Sequence, residues 1–119
     1  MPHLSVEYTD NLPQFHAAPV LLALNQALLD SGQFEEQDIK SRAIRLDTYR
    51  TGTSSAPRAF VHVRIAILSG RSAETRSALS DGVLRALQGA CEWPSALRVQ
   101  LSVEVVDMDR GSYAKAVIG

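Results

Sequence analysis

Two stretches of strict two-residue alternation constrain this chain more than any other feature. Val61, Val63, Ile65 and Ile67 alternate with Phe60, His62, Arg64 and Ala66. Leu97, Val99, Leu101, Val103 and Val105 alternate with Arg98, Gln100, Ser102 and Glu104. Successive side chains of a strand point to opposite faces, so each stretch describes a strand with one apolar and one polar side. Between them Leu79, Val83, Ala86, Leu87 and Ala90 recur at helical spacing, running to about Cys91. Ser69-Gly70-Arg71-Ser72 breaks the first strand, Ser72 is a good helix cap with Glu74 in the first turn, and Trp93-Pro94 ends the helix. The second half of the chain is therefore strand, helix, strand.

The first half repeats that order more faintly. Leu4, Val6 and Tyr8 alternate with His3, Ser5 and Glu7. Val20, Leu21, Leu24, Ala27 and Leu28 predict a helix that starts near Ala17, because Pro19 fits a first helical turn but not a helix interior. Ser31-Gly32 stops it, Ile39 to Tyr49 reads as a second strand with weaker alternation, and Thr51 to Pro57 is a loop. Short strand–helix–strand units favour parallel pairing through right-handed crossovers. The expected fold is α/β (α+β): two β-α-β units forming a four-stranded mixed sheet, with two helices on one face. It makes a single domain over 1–119, with a C-terminal tail from about residue 107 that has no strong period. The other face of the sheet carries His3, Ser5, Glu7, His62, Arg64, Arg98, Gln100, Ser102 and Glu104, and must meet water or a polar subunit interface.

Composition removes several function classes. Twelve Lys+Arg against thirteen Asp+Glu leave a formal charge of -1, without the basic excess that phosphate backbones require, so no nucleic-acid partner is expected. The apolar runs fall far short of the ~20 residues of a membrane span, and no secretory leader is evident. The single cysteine, Cys91, cannot form an internal disulfide. A cytoplasmic location is the expectation. A domain of 119 residues also gains from burying further surface in an oligomer.

The chemistry concentrates at the start of the chain. Pro2 follows Met1 and directly precedes a strand. Removal of methionine before a small residue would leave a secondary amine, whose charged form burial and neighbouring cations disfavour. A neutral amine poised near pH 7 is a general base. Taken alone, a proline at this position is common and usually inert. Lys40 and Arg42 fall on one side of the second strand, and Arg71 lies at the N-terminal end of the second helix, where unpaired N–H groups attract an anion. Such cations could hold a carboxylate, although most surface lysines and arginines are simply solvated. His3, His16, His62 and Cys91 show no zinc spacing, so no metal is expected. Gly70-Arg71-Ser72 is not a phosphate-binding loop, and no nucleophile elbow surrounds Ser72.

Together, Met1-Pro2-His3 opening a strand, the two β-α-β units, Phe60-Val61-His62 in the third strand, Gly70-Arg71-Ser72 before the second helix and Ile39-Lys40-Ser41-Arg42 after the first resemble the tautomerase superfamily. Within it, the chain looks similar to the 5-carboxymethyl-2-hydroxymuconate Δ-isomerases of homoprotocatechuate breakdown. The resemblance implies a homotrimer whose sheets surround a central channel, with a C-terminal tail free to reach a neighbour. It implies that mature Pro2 is the catalytic base, that Arg71 binds a substrate carboxylate, and that Lys40 stands where relatives carry a second arginine, with Arg42 beside it. The reaction implied is a proton shift in a dienol polycarboxylate, a small-molecule substrate, without metal or cofactor. A non-enzymatic trimeric binding module on the same scaffold, or a phenylpyruvate-type tautomerase or dehalogenase, are the alternatives.

Overall fold

The computed structural model describes residues 1–119 and turns the alternating segments into one sheet covered on one side. Strand β1 (His3–Thr9) is followed by helix α1 (Ala17–Asp30), a single 3₁₀ turn (Glu36–Asp38) and strand β2 (Lys40–Leu46). Strand β3 (Arg58–Leu68), helix α2 (Ala73–Gln88) and strand β4 (Arg98–Met108) repeat the unit. The strands lie in the order β2-β1-β3-β4. Within each unit the pair is parallel, and the units join through antiparallel β1 and β3. Each helix returns the chain to the strand beside the one it left, as a crossover requires.

The register sorts the side chains by face. Leu4 pairs with Ile65 and Val6 with Val63, and Val61 and Val63 lie against Leu101 and Val103. Leu4, Val6, Val61, Val63, Ile65 and Ile67 are fully buried under Val20, Leu24 and Leu28 of α1 and Leu79, Val83 and Leu87 of α2. The i, i+4, i+8 spacing of both helix triplets is the stripe read from the sequence. Removing these side chains from water is the main stabilising term, roughly 1.5–3 kcal/mol for each large one. On the opposite face no helix covers the sheet: Arg42, Arg64, Ser102 and Glu104 are exposed, and His3, Ser5, Lys40 and His62 are half-buried.

Local chemistry sets the ends. Pro19 occupies the first turn of α1. The Ser72 hydroxyl accepts the Thr75 N–H at 3.1 Å, capping α2. Three boundaries depart from the sequence reading. Strand β2 ends at Leu46, not Tyr49, because Asp10 N–H takes the Leu46 carbonyl at 3.0 Å and Tyr49 turns its hydroxyl to Asp10 at 2.9 Å. Helix α2 ends at Gln88, where Gly89 N–H closes on the Arg85 carbonyl and the Trp93 indole takes the Gln88 carbonyl at 2.9 Å. Strand β4 runs on through Asp107 and Met108, paired with Ile67 and Leu68. No helix is long and apolar enough to cross a membrane.

Candidate active site

The parallel pairing of β1 with β2 builds the site. Lys40 N–H donates to the Pro2 carbonyl at 3.1 Å, so the first residues of the chain are clamped to the start of β2. Pro2 is buried, and His3 lies in register with Lys40 and Ser5 with Arg42. With Met1 attached, the Pro2 nitrogen is an amide; the terminal amine belongs to Met1. Burial lowers the pKa of that amine most strongly, Asp38 opposes the change, and Arg71, Lys40 and Lys115 each reinforce it. Three cations, Lys40, Arg71 and Lys115, and one carboxylate, Asp38, therefore act electrostatically on the start of the chain.

Each cation is held differently. Arg71, in the turn between β3 and α2, donates from Nε to the Gln33 side chain at 3.1 Å, from Nη2 to the Gln33 carbonyl at 3.1 Å and from Nη1 to the Leu68 carbonyl at 3.3 Å. Its guanidinium lies 4.8 Å from the centre of the Phe34 ring. An arginine has five N–H donors in a planar fork, so each terminal nitrogen keeps one for a ligand. Lys40 Nζ donates to the Asp38 carbonyl at 3.1 Å. Lys115 Nζ lies 2.7 Å from Asp38 Oδ1 and 3.3 Å from Met1 Sδ. The hydrogen bond from Lys115 is the main reason that the Asp38 carboxyl titrates below its usual range.

Of the residues singled out in the sequence, Lys40 is bonded to Pro2 through its backbone N–H, and Lys40 and Arg71 both act on the terminal amine. Arg42 diverges: it lies on the same sheet face, but its Nη2 donates to His3 Nδ1 at 3.0 Å. A guanidinium only donates, so His3 Nδ1 is the acceptor and its Nε2–H donates to the Tyr113 oxygen at 2.9 Å. The neutral ring is favoured first by burial and then by Arg42 and Lys40, which lower its pKa. A second histidine, His62, bridges Ser102 Oγ and Glu104 on the open face, away from this cluster in the register. No group of three or more His, Cys, Asp or Glu side chains is placed to hold a metal ion.

The C-terminal segment is the main departure from the sequence reading. It does not hang free: Arg110 donates twice to the Ser69 carbonyl, at 3.1 and 3.0 Å, and Tyr113 and Lys115 then reach β1 and Asp38. From Ala114 to Gly119 every residue is exposed, Val117 at 79% and Ile118 at 99%. Lys115, Asp38, Tyr113 and Gln33 were not legible as site residues. Each stands alone in a stretch without period, and Asp38 and Lys115 are 77 residues apart.

Comparisons with known proteins bear on what this arrangement does. The model of the 5-carboxymethyl-2-hydroxymuconate isomerase family matches residues 2–118. A curated relative, the 5-carboxymethyl-2-hydroxymuconate Delta-isomerase of Escherichia coli, is 36% identical over 77 residues, a stretch that spans 64% of this chain and 61% of that protein. The crystal structure of a 5-carboxymethyl-2-hydroxymuconate isomerase from Deinococcus radiodurans R1 is 34% identical, with a TM-score of 0.84 over 97% of this chain and 88% of that one. A fused 4-OT wild-type symmetric trimer shares the fold at 19% identity, with a TM-score of 0.72 over 96% of this chain and 91% of that one.

Proposed function

The chain belongs to the 5-carboxymethyl-2-hydroxymuconate isomerase family, and from that premise we propose that it shifts a proton along a 2-hydroxymuconate-type dienol, with Pro2 as the base. The observation that carries the proposal is that Lys40 N–H holds the Pro2 carbonyl at 3.1 Å and Lys115 Nζ lies 3.3 Å from Met1 Sδ, while Arg71 adds its charge at the same terminal amine. Once Met1 is removed, the amine is the secondary nitrogen of Pro2, a buried residue. Burial and those cations favour its neutral form, the form that accepts a proton.

The electrons then balance as follows. The Pro2 nitrogen takes the proton of the 2-hydroxyl, and the O–H pair becomes the second bond of a C2 carbonyl. The C2–C3 π pair moves to C3–C4, and the C4–C5 π pair takes up a proton at C5, which restores neutral Pro2. Arg71 and Lys40 orient the carboxylates and stabilise the negative charge that passes along the chain. The ammonium of Lys40 provides a point charge where an arginine would offer a planar fork, so Arg71 sets the angle of the substrate and Lys40 the charge. Arg42 acts indirectly, through His3.

A homotrimer is part of the proposal. The uncovered sheet face supports it, as does the radius of gyration of 15.4 Å, against about 13.5 Å for a compact domain of this length. The fused 4-OT trimer supplies an example of this fold assembled threefold. A cytoplasmic location, the expectation from sequence, is likewise part of the proposal.

The test follows the disappearance of dienol absorbance with protein whose mass shows Met1 removed. We expect turnover, and a loss of about a hundredfold or more in Pro2→Ala, the scale of general base catalysis. Protein that retains Met1 should be inactive. Equal turnover by Pro2→Ala and parent would end the assignment of the base.

A further inference from the structure

We infer that Lys115, carried to the start of β1 by the folded C-terminal segment, grips an additional carboxylate of the substrate and so selects tricarboxylate over dicarboxylate dienols. The inference rests on the isomerase reading above and adds to it a residue from a part of the chain remote from the two β-α-β units.

Three observations carry it. First, the segment that bears Lys115 is built into the protomer. Arg110 is tied to the Ser69 carbonyl, Ser112 and Tyr113 N–H groups close a turn on the Asp109 carbonyl, and the Tyr113 hydroxyl meets His3. The lysine thus arrives at a fixed place rather than sampling solvent, and its side chain is only 26% exposed. Second, Asp38 does not exhaust it. An ammonium has three N–H donors, and one is directed at Asp38 Oδ1. Another faces Met1 Sδ at 3.3 Å, a contact that vanishes when Met1 is removed and leaves that donor facing the space in front of Pro2. Third, each cation keeps donors for a ligand. Arg71 spends three of its five on Gln33 and Leu68, Lys40 one of its three on the Asp38 carbonyl, and Lys115, once Met1 is gone, one of its three on Asp38.

Charge arithmetic agrees with a polyanion. Lys40, Arg71, Lys115 and one carboxylate, Asp38, act on the terminal amine, an excess of two positive charges when that amine is neutral. By its name, 5-carboxymethyl-2-hydroxymuconate carries two carboxylates at the ends of the dienol and a third on its side arm. Arg71 and Lys40 match the first two, and Lys115 is the cation left for the third. Asp38 is then a positioning residue: it holds the ammonium at its post by one oxygen.

The experiment compares 5-carboxymethyl-2-hydroxymuconate with 2-hydroxymuconate, which lacks the side arm, on Met-free protein. The quantity read is the ratio of kcat/KM between the two substrates. In Lys115→Ala and Lys115→Gln we expect that ratio to fall by about tenfold to a hundredfold, the scale of one charge-assisted hydrogen bond, mainly through KM for the tricarboxylate. Lys115→Arg should recover most of it. A ratio that stays within twofold of the parent, with both substrates losing equally, would overturn the inference and leave Lys115 as a staple for the tail. Lys115→Gln, one atom shorter but still polar and uncharged, covers the case in which Lys115→Ala does not fold. Failure of the parent to turn over either substrate is a different result: it overturns the isomerase reading, and this inference falls with it.

Discussion

Arg71 has two roles that one substitution can separate. In Arg71→Ala the chain loses three hydrogen bonds, to the Gln33 side chain and to the Gln33 and Leu68 carbonyls, at 3.1, 3.1 and 3.3 Å. It also loses the cation stacked 4.8 Å from the Phe34 ring centre. These groups lie at the surface, so each hydrogen bond is set at about 0.5–1 kcal/mol. The stacked pair adds about 0.5–1 kcal/mol. The total is about 2–4 kcal/mol. An unfolding entropy of about 2.1 cal/mol/K per residue corresponds, for 119 residues, to roughly 4 °C for each kcal/mol. Arg71→Ala should therefore melt about 8 °C or more below the parent in calorimetry at one fixed protein concentration, because the midpoint of an oligomer depends on concentration. In the same variant kcat/KM for a dienol polycarboxylate should fall at least tenfold, and Arg71→Lys should restore charge without the fork, recovering part of the activity but little of the stability. A midpoint within 2 °C of the parent would refute the clamp between the first β-α-β unit and the turn before α2. A lowered midpoint with unchanged kcat/KM would refute the substrate role and leave Arg71 as a structural tie.

Other outcomes follow from single contacts. Ser72→Ala removes the acceptor of the Thr75 N–H and should lower stability by about 1 kcal/mol, or roughly 4 °C, with KM unaltered; a shift in KM instead would place the helix end in the substrate site. The pKa of His3 is lowered in the folded state, first by burial and then by Arg42 and Lys40. The unfolded chain then binds more protons below about pH 6.5, so the His3 contribution to stability is fully present above that pH. It is lost as pH falls through the lower folded value. Thermal melts at pH 8 and pH 5 should differ less in His3→Gln than in the parent, and an equal difference in both would show that the neutral ring is not required.

What could be read from sequence follows the range of the forces involved. Strands β3 and β4 and both helix stripes were legible because burial on one face imposes a local period, and Val61, Val63, Ile65 and Ile67 are buried to zero exposure. Strand β2 was overextended because its end is set by a long-range contact, Asp10 N–H on the Leu46 carbonyl, that leaves no trace in the local pattern. Pro2, Lys40 and Arg71 were legible as candidates since each sits at the end of an element, where backbone groups and charges converge.

Lys115, Tyr113 and Asp38 were not, for a physical reason. A salt bridge between residues 38 and 115 leaves no periodic trace, and a hydrogen bond from His3 to Tyr113 spans 110 positions. Electrostatic partners need only meet in space, whereas hydrophobic partners must also repeat along the chain to share one face. The same distinction bears on how a lysine can stand at position 40 where the family resemblance implies an arginine. Orientation and charge need not come from one side chain when a rigid fork at Arg71 and a further ammonium at Lys115, from other segments, also act on the amine at the start of the chain. The tail, whose lack of pattern marked it as loose, is then the part of the chain that completes the cationic set, and its order depends on contacts that only the folded sheet provides.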